Sequence, residues 1–165
     1  MFRWMINLNQ KQKDKIPKTN NKIAVINTGG TISAEQEGKS VKVSENGSET
    51  MLSKFDQISN ELNLRTENFT VMNKASEEMV PNDWFQIGKS IKNLKNEGFK
   101  KVIVTHGTDS LIFSATAMRM IREFKDMKIV FTGSLFPNDH PNSDIVDNLK
   151  ASLLFQISDI DSGIF

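Results

Sequence analysis

The stretch from residue 22 to residue 32 reads KIAVINTGGTI, and it decides the fold class. Its first part, Lys22–Asn27, is a short apolar run typical of a buried strand. The following Thr28-Gly29-Gly30-Thr31-Ile32 breaks that strand with a glycine-rich turn. A short buried strand that runs into such a turn suits a parallel α/β sheet, provided that helices and further strands follow.

Strands and helices alternate along the rest of the chain. Further strands are predicted at Phe69–Met72, Val102–Thr105 and Ile129–Thr132, with a last one beginning at Gly163. Helices are predicted at Met51–Leu62, from Pro81 to Gly98, at Leu111–Phe124 and at Asp144–Ile157, where apolar residues recur at helical spacing. We therefore expect a mostly parallel sheet with helices on both faces, a three-layer sandwich of the flavodoxin-like or Rossmann-like type.

Two segments fall outside this alternation. The polar stretch from Glu35 to Thr50 is predicted to be a mobile loop with a small hairpin near Val41 and Val43. Residues 1–21 read as a flexible basic arm ahead of one domain at 22–165. Residues 1–22 hold six basic residues against one acid, whereas the whole chain carries a net charge of +1. The arm could contact nucleic acid, but we favour a solvated arm and expect no nucleic-acid partner.

Composition excludes several kinds of chemistry. The chain has no cysteine, no tyrosine and two histidines, so it offers no disulfide, no thiolate nucleophile and no histidine-rich metal site. No apolar run approaches the ~18 residues of a membrane helix, and the N-terminus turns polar too soon for a secretory signal. We expect a cytoplasmic protein that needs no metal or organic cofactor and does not bind membranes.

Hydroxyl-bearing residues and glycines cluster after two of the predicted strands. The clusters are Thr28-Gly29-Gly30-Thr31 and Thr105-His106-Gly107-Thr108-Asp109-Ser110. The first could be a plain turn or a phosphate cradle, although GxGxxG and GxxxxGK[ST] are both absent. In the second, Asp109 and Ser110 could merely cap the next helix.

Together the two clusters indicate a chemistry that neither indicates alone. Ligands of parallel sheets collect at the carboxyl ends of strands, where both clusters lie. A threonine hydroxyl needs a base or a hydrogen-bond network to take its proton. Two threonines and a carboxylate from neighbouring strand ends would suit acyl transfer on a small amide.

Four segments carry a resemblance to the bacterial-type L-asparaginase family, which includes the glutaminase-asparaginases. They are IAVINTGGTIS at 23–33, NKASEEMVPNDW at 73–84, VIVTHGTDSLIFSATA at 102–117, and FTGSLFP followed by SD, DNL and A between 131 and 151. They stand in family order, and the combination of TGGTI, ASE and HGTD is highly specific. The resemblance covers residues 22–165 and implies the family's N-terminal domain.

The resemblance implies a role for each matching residue. Thr31 matches the family's loop-borne nucleophile. Thr108 and Asp109 match a threonine that is the other candidate nucleophile and an aspartate that holds the substrate's α-amino group. Ser76 and Glu77 match positions that bind the α-carboxylate and α-amino ends of the substrate.

Charge chemistry agrees with those roles. Asp109 and Glu77 can pair with an ammonium group, and Ser76, Gly30 and the Asp109 backbone can hold a carboxylate. The backbone of Ser134, or an amide N–H near Thr31, could stabilise a developing oxyanion. His106 is expected to be a packed structural residue rather than a base.

The sequence also departs from the family. The family has a tyrosine shortly after TGGTI, and this chain has none. The positions of the family lysine and of the C-terminal domain fall beyond Phe165. We expect the site to be incomplete within these residues, and the chain to act as a homo-oligomer or with a complementing C-terminal partner.

Three functions remain open on these grounds. The first is hydrolysis of the side-chain amide of asparagine, with glutamine as a second substrate. The second is a catalytically impaired relative that binds a small amino acid or a protein partner. The third is membership among the related subunits that amidate aminoacylated transfer RNA, for which the basic arm is weak support.

Overall fold

The computed structural model describes residues 22–37 and 40–165, so the predicted basic arm at 1–21 lies outside the described residues. The strands are β1 (Lys22–Gly29), β2 (Ala34–Glu37), β3 (Ser40–Val43), β4 (Arg65–Lys74), β5 (Lys101–Thr105), β6 (Lys128–Thr132) and β7 (Gly163–Ile164). The helices are α1 (Glu45–Glu61), α2 (Pro81–Asn96), α3 (Leu111–Arg119) and α4 (Ile145–Gln156). Short 3₁₀ turns occur at Thr31–Ser33, Ser76–Glu78 and Arg122–Phe124.

Five strands form one parallel sheet in the order β4-β1-β5-β6-β7. When these five strands are renumbered in chain order, the sheet has the order 2-1-3-4-5 of flavodoxin-like folds. The predicted α/β class is confirmed, and the fold is of the flavodoxin-like rather than the Rossmann-like type. Successive strands are added on one side of β1 up to β4 and on the other side from β5 onward, so the order of strand addition reverses between β1 and β5. Ligands of such sheets bind at this switch point.

The two faces of the sheet bury alternate residues of each strand. Ile23 and Val25 of β1 pack with α1 and α4, whereas Ala24 and Ile26 pack with α2 and α3. All four are fully buried. Because successive side chains of a strand point to opposite faces, an unbroken apolar run is the expected signature of a strand covered on both sides.

The carboxyl ends of three strands are level with one another. Asn27 in β1 lies beside Thr105 in β5, and Thr105 lies beside Thr132 in β6. The loops that follow these strands therefore start from one edge of the sheet. This register places the two predicted threonine clusters next to each other.

Helix α1 begins earlier than predicted, at Glu45, and Ser44 caps it by accepting a hydrogen bond from the Gly47 amide at 2.8 Å. The polar stretch ahead of it forms the expected hairpin, β2 paired antiparallel with β3. Gly47 is required in this first turn because a Cβ atom there would lie 2.4 Å from the Ser33 carbonyl oxygen.

Helix α3 is shorter than predicted. It ends at Arg119, and Ile121 adopts an extended conformation before the 3₁₀ turn at Arg122–Phe124. Apolar residues continue at helical spacing through the break, since Met118 and Phe124 are both buried in the same cluster. The hydrophobic pattern therefore could not reveal where the helix stops.

Candidate active site

Two glycines turn the chain sharply after β1. Gly29 and Gly30 have φ angles of 97° and 79°, a region that favours glycine. A Cβ atom on Gly29 would lie 2.3 Å from the Lys74 amide nitrogen, and one on Gly30 would lie 2.3 Å from the Gly107 Cα atom. The turn after β1 is thus in backbone contact with the segments after β4 and after β5.

The same close approach continues across the edge of the sheet. A Cβ atom on Gly107 would lie 2.4 Å from Ser76 Oγ. One on Gly133 would lie 2.7 Å from the His106 carbonyl oxygen and 3.3 Å from Thr108 Cγ2. Four segments therefore converge, and they are the four that carry the sequence resemblance.

Buried side chains tie the bases of the two threonine clusters together. Asn27 Oδ1 accepts hydrogen bonds from the Gly29 amide at 3.1 Å, from Ser33 Oγ at 2.9 Å and from Thr105 Oγ1 at 3.1 Å. Thr28 Oγ1 donates to the Thr105 carbonyl at 2.8 Å. Because Thr28 and Gly29 belong to the first cluster and Thr105 begins the second, the network fixes one cluster against the other.

His106 is fully buried and has a partner at each ring nitrogen. Nδ1 lies 2.8 Å from the Gly107 carbonyl oxygen, which can only accept, and Nε2 lies 2.8 Å from Ser114 Oγ. Trp84 Nε1 donates to the same hydroxyl at 2.9 Å, so Ser114 is free to donate to Nε2. The bonding places a proton on Nδ1 and suits a neutral ring, in which Nε2 accepts from Ser114.

Electrostatics favour the same state. Burial lowers the pKa of His106 below its ordinary range, against the hydrogen bond to the Gly107 carbonyl, which acts in the opposite direction. The buried ring orients the Gly107 carbonyl through the hydrogen bond at Nδ1. This is the packed structural position expected from the sequence.

Ser76 is held from the second cluster. Its carbonyl oxygen accepts a hydrogen bond from Ser110 Oγ at 2.8 Å. Its own hydroxyl is buried and has no hydrogen-bond partner among the described residues. Ser110 makes no side-chain cap on α3, so the capping alternative does not account for this serine.

The residues predicted to meet the substrate differ in exposure. Thr31 is half-buried, whereas Thr108, Asp109 and Glu77 are exposed. None of these four side chains forms a hydrogen bond or ion pair within residues 22–37 and 40–165. They are therefore open to a ligand, while the backbone beneath them is tightly fixed.

An ion pair joins the two ends of the segment that carries Ser76 and Glu77. Lys74 Nζ lies 2.8 Å from Asp83 Oδ2, which also accepts the Val80 amide at 2.8 Å. The hydrogen bond from Lys74, helped by that amide, holds the pKa of Asp83 below its usual range despite partial desolvation. This segment is anchored at its start and at its end.

A cleft of about 260 Å³ opens beside Thr108. It is lined mainly by the ends of β6, α3 and α4, and its residues include Thr132, Ser134, Asp144 and Asn148. Ser134 is buried at the rim. The predicted oxyanion residue thus lies in the wall of a cavity that Thr108 also lines.

Asp144 organises the wall of this cleft. Its carboxylate accepts Ser134 Oγ at 2.6 Å, the Leu135 amide at 3.1 Å and Asn148 Nδ2 at 2.7 Å. Burial by itself would raise the pKa of Asp144, but the hydrogen bonds from Ser134 and from three backbone amides outweigh it and hold the pKa low. The carboxylate is therefore ionised and fully engaged in holding the loop.

Some site-building residues escaped the sequence reasoning. Asn27, Ser114 and Asp144 lie inside the four segments that carry the family resemblance, yet only their three-dimensional partners reveal what they do. Within the described part of the chain, no group of three or more histidine or acidic side chains is placed to hold a metal ion. Over the same residues, no helix is long and apolar enough to cross a bilayer.

Comparison with known proteins identifies the family. Residues 22–164 match the N-terminal domain of asparaginase. The chain belongs to the asparaginase family. The asparaginase fold is also found by structural comparison: the thermostable L-asparaginase from Thermococcus kodakarensis superposes with a TM-score of 0.70 at 28% identity, over 87% of this chain and 42% of that one.

Two curated relatives show the range of this asparaginase family. A Glutamyl-tRNA(Gln) amidotransferase component from Thermoplasma volcanium is 28% identical over 84% of this chain and 33% of its own length. The L-asparaginase of Thermococcus kodakarensis is 29% identical over 81% of this chain and 40% of its own length. The chain thus spans about a third to two fifths of the length of the curated relatives it matches.

Proposed function

We propose that this asparaginase-family domain cleaves the side-chain amide of L-asparagine, with L-glutamine as a second substrate, releasing ammonia. The observation that carries the proposal is the backbone contact between Gly30 and Gly107 at the switch point of the sheet. It brings the segments that hold Thr31 and Thr108 together, and both side chains are free of other partners among the described residues.

The proposed reaction runs through a threonine ester. The hydroxyl oxygen of Thr31 attacks the amide carbon, the C–N bond breaks, and ammonia leaves with the hydroxyl proton. Water then hydrolyses the ester, which releases aspartate or glutamate and restores the hydroxyl. Thr108 and Asp109 form the polar network beside the attacking group, and Thr108 is the alternative nucleophile.

The proposed pocket holds the amino acid by its charged ends. Asp109 and Glu77 pair with the α-ammonium group, because both carboxylates are exposed and unpaired within the described residues. The buried, unpartnered hydroxyl of Ser76 and the backbone of Gly30 donate to the α-carboxylate. The backbone of Ser134, in the wall of the cleft beside Thr108, serves the oxyanion.

A second candidate is a role in an amidotransferase, in which released ammonia is used on another substrate. The similarity to the Glutamyl-tRNA(Gln) amidotransferase component supports it, because that relative aligns over 84% of this chain. In that case glutamine is the better ammonia donor and the chain works as part of an assembly. For both candidate functions we propose a cytoplasmic location.

The third candidate, an impaired domain that only binds an amino acid or a protein partner, shares the same pocket. The absence of tyrosine favours it. The convergence of four intact segments at one point opposes it.

Ammonia release from asparagine and from glutamine tests the proposal. Thr31→Ala and Thr108→Ala should each lower kcat by several orders of magnitude, as is typical when a nucleophile or its network is lost. Thr116→Ala is the matched control, because Thr116 is exposed on α3 and its hydroxyl donates to the Ile112 carbonyl of the same helix. Full ammonia release in both site variants would disprove the threonine mechanism, and a wild-type chain that binds asparagine without hydrolysis would favour the impaired domain.

A further inference from the structure

The loop between β6 and α4 reaches back to the segment that bears Thr31. Asn138 in this loop donates through Nδ2 to the Ile32 carbonyl at 3.2 Å and to the Gly47 carbonyl at 3.1 Å. Its backbone amide donates to the Ala34 carbonyl at 3.2 Å. One residue therefore joins the short turn at Thr31–Ser33, the start of β2 and the first turn of α1.

Chemistry fixes the orientation of this amide group. The lysine ammonium of Lys54 can only donate, and it lies 3.0 Å from Asn138 Oδ1 and 3.3 Å from the Asn138 carbonyl oxygen. The two backbone carbonyls can only accept, and they face Nδ2. A flipped amide would place acceptor against acceptor and donor against donor, so the bonding admits one orientation.

The position of these contacts relates them to the candidate nucleophile. Ile32 follows Thr31 directly, and the Ala34 amide donates to the Thr31 carbonyl, which closes the short turn. Ser33, inside this turn, is held from below by Asn27 Oδ1. Asn138 supplies the contact from the side of the cleft loop, where Ser134 and Asp144 also lie.

We propose that Asn138 is a positioning residue that sets the place of Thr31 relative to the cleft beside Thr108. The proposal rests on the proposed function, in which Thr31 attacks the amide. Asn138 does not touch the substrate; it acts through the Ile32 carbonyl. Loss of the two bonds donated by its side chain should let the Thr31 turn shift while the β5 loop with Thr108 stays in place.

The deciding variant is Asn138→Asp, which keeps size and shape. It turns both donated bonds into contacts between oxygen atoms and keeps the partner of Lys54. Since small displacements of reacting groups can cost up to about 100-fold, we expect kcat to fall by ~10- to 100-fold with a smaller change in KM. Asn138→Ala should also lower kcat, because it removes the two side-chain donors without adding oxygen–oxygen repulsion.

Threonine-methyl NMR on the full chain reads the position without requiring activity. In Asn138→Asp the Thr31 methyl signal should shift, and the amides of Ser33 and Ala34 should exchange about ten times faster. The Thr66 methyl, near the amino end of β4, is the internal reference and should stay unchanged. Such a shift would support positioning even if the wild-type chain hydrolyses nothing, in which case the proposed function fails on its own.

Two controls separate the contact from its surroundings. Asn142→Asp makes the same charge change in the same loop at an exposed side chain, and it should leave the Thr31 signal and kcat unchanged. Lys54→Met removes the ion from Asn138 Oδ1 but spares the bond to Ile32, and it should have a small effect. An unshifted Thr31 methyl in Asn138→Asp, or an equal shift in Asn142→Asp, would overturn the proposal.

Discussion

Gly30 and Gly107 lie in direct backbone contact, so that a Cβ atom on the first would come within 2.3 Å of the Cα atom of the second. Neither residue can move away, because the Gly30 amide donates to the Lys74 carbonyl at 2.9 Å and the Gly107 carbonyl faces the His106 ring. The contact joins the turn after β1 to the loop after β5. The site consequently depends on two positions that have no side chain.

Gly30→Ala should destabilise the fold far more than Gly98→Ala does. Both residues have positive φ angles, but a Cβ atom on Gly98 meets nothing within 4 Å. Gly98→Ala should therefore cost only the ~1–2 kcal/mol of a left-handed residue, whereas Gly30→Ala adds a clash with backbone. Urea unfolding of the two variants measures the difference. Equal free energies of unfolding would show that the turn relaxes freely.

Stability should fall in mild acid because of His106. The folded state lowers the pKa of this ring, so it binds a proton less readily than the unfolded chain does. Its contribution is then complete above the unfolded pKa of ~6.5 and is lost as the pH falls below it. His106→Asn should flatten the slope of unfolding free energy between about pH 6.5 and 5 in thermal or urea melts.

The control for that slope is His140→Asn. His140 lies in the loop between β6 and α4, stacked on Phe136 with ring centroids 4.4 Å apart. His140→Asn should leave the slope of unfolding free energy against pH unchanged. A slope that disappears in His140→Asn and persists in His106→Asn would contradict the buried-ring explanation.

Asp144→Asn should loosen the wall of the cleft. An amide in place of the carboxylate points one donor at Ser134 Oγ, at the Leu135 amide or at Asn148 Nδ2, and we expect a loss of about 1–3 kcal/mol. The wild-type contribution is present above the unfolded pKa of ~3.9 and is lost as the pH falls through the depressed folded value. Asp147→Asn, exposed in the first turn of α4, which begins directly after Asp144, serves as the control in denaturant titrations near neutral pH.

Aspartate should bind better than succinate, which lacks only the α-amino group. The ammonium can donate charge-assisted hydrogen bonds to Asp109 and Glu77, so removing it should weaken binding about ten-fold or more. Calorimetry or NMR titration measures both affinities. Glu77→Gln should reduce the preference, whereas the exposed neighbour Glu78→Gln should not. Equal binding of the two acids, or aspartate binding that survives Asp109→Ala, would refute the pocket.

The strands and the site loops were within reach of sequence reasoning because their signals are local. Apolar runs located β1, β5 and β6 to within two residues, since the middle of a strand buried on both faces is apolar. The start of α1 was hidden because Gly47 is a poor helix former, and only its contact with Ser33 explains its presence. The end of α3 was hidden because its hydrophobic spacing continues past the break.

The supporting residues were out of reach for a different reason. Asn138 bonds to Ile32 across 106 positions and to Gly47 across 91, and no local pattern records such a pairing. Asp144 sits in a short loop segment where an aspartate ordinarily reads as a helix cap. Their roles follow from the register of the sheet, which brings loops of β1 and β6 to one edge.

The position of β1 between β4 and β5 has a consequence for how the chain folds. β1 pairs with β4 on one side and β5 on the other, and Thr28 reaches its partner Thr105 only across 77 positions. During synthesis this apolar strand emerges long before either neighbouring strand. Its backbone groups therefore stay unpaired for a time, and unpaired strands are prone to aggregate. Pairing across such separations slows folding, so the edge of the sheet that carries the site should be among the last parts to become protected from hydrogen exchange in refolding experiments.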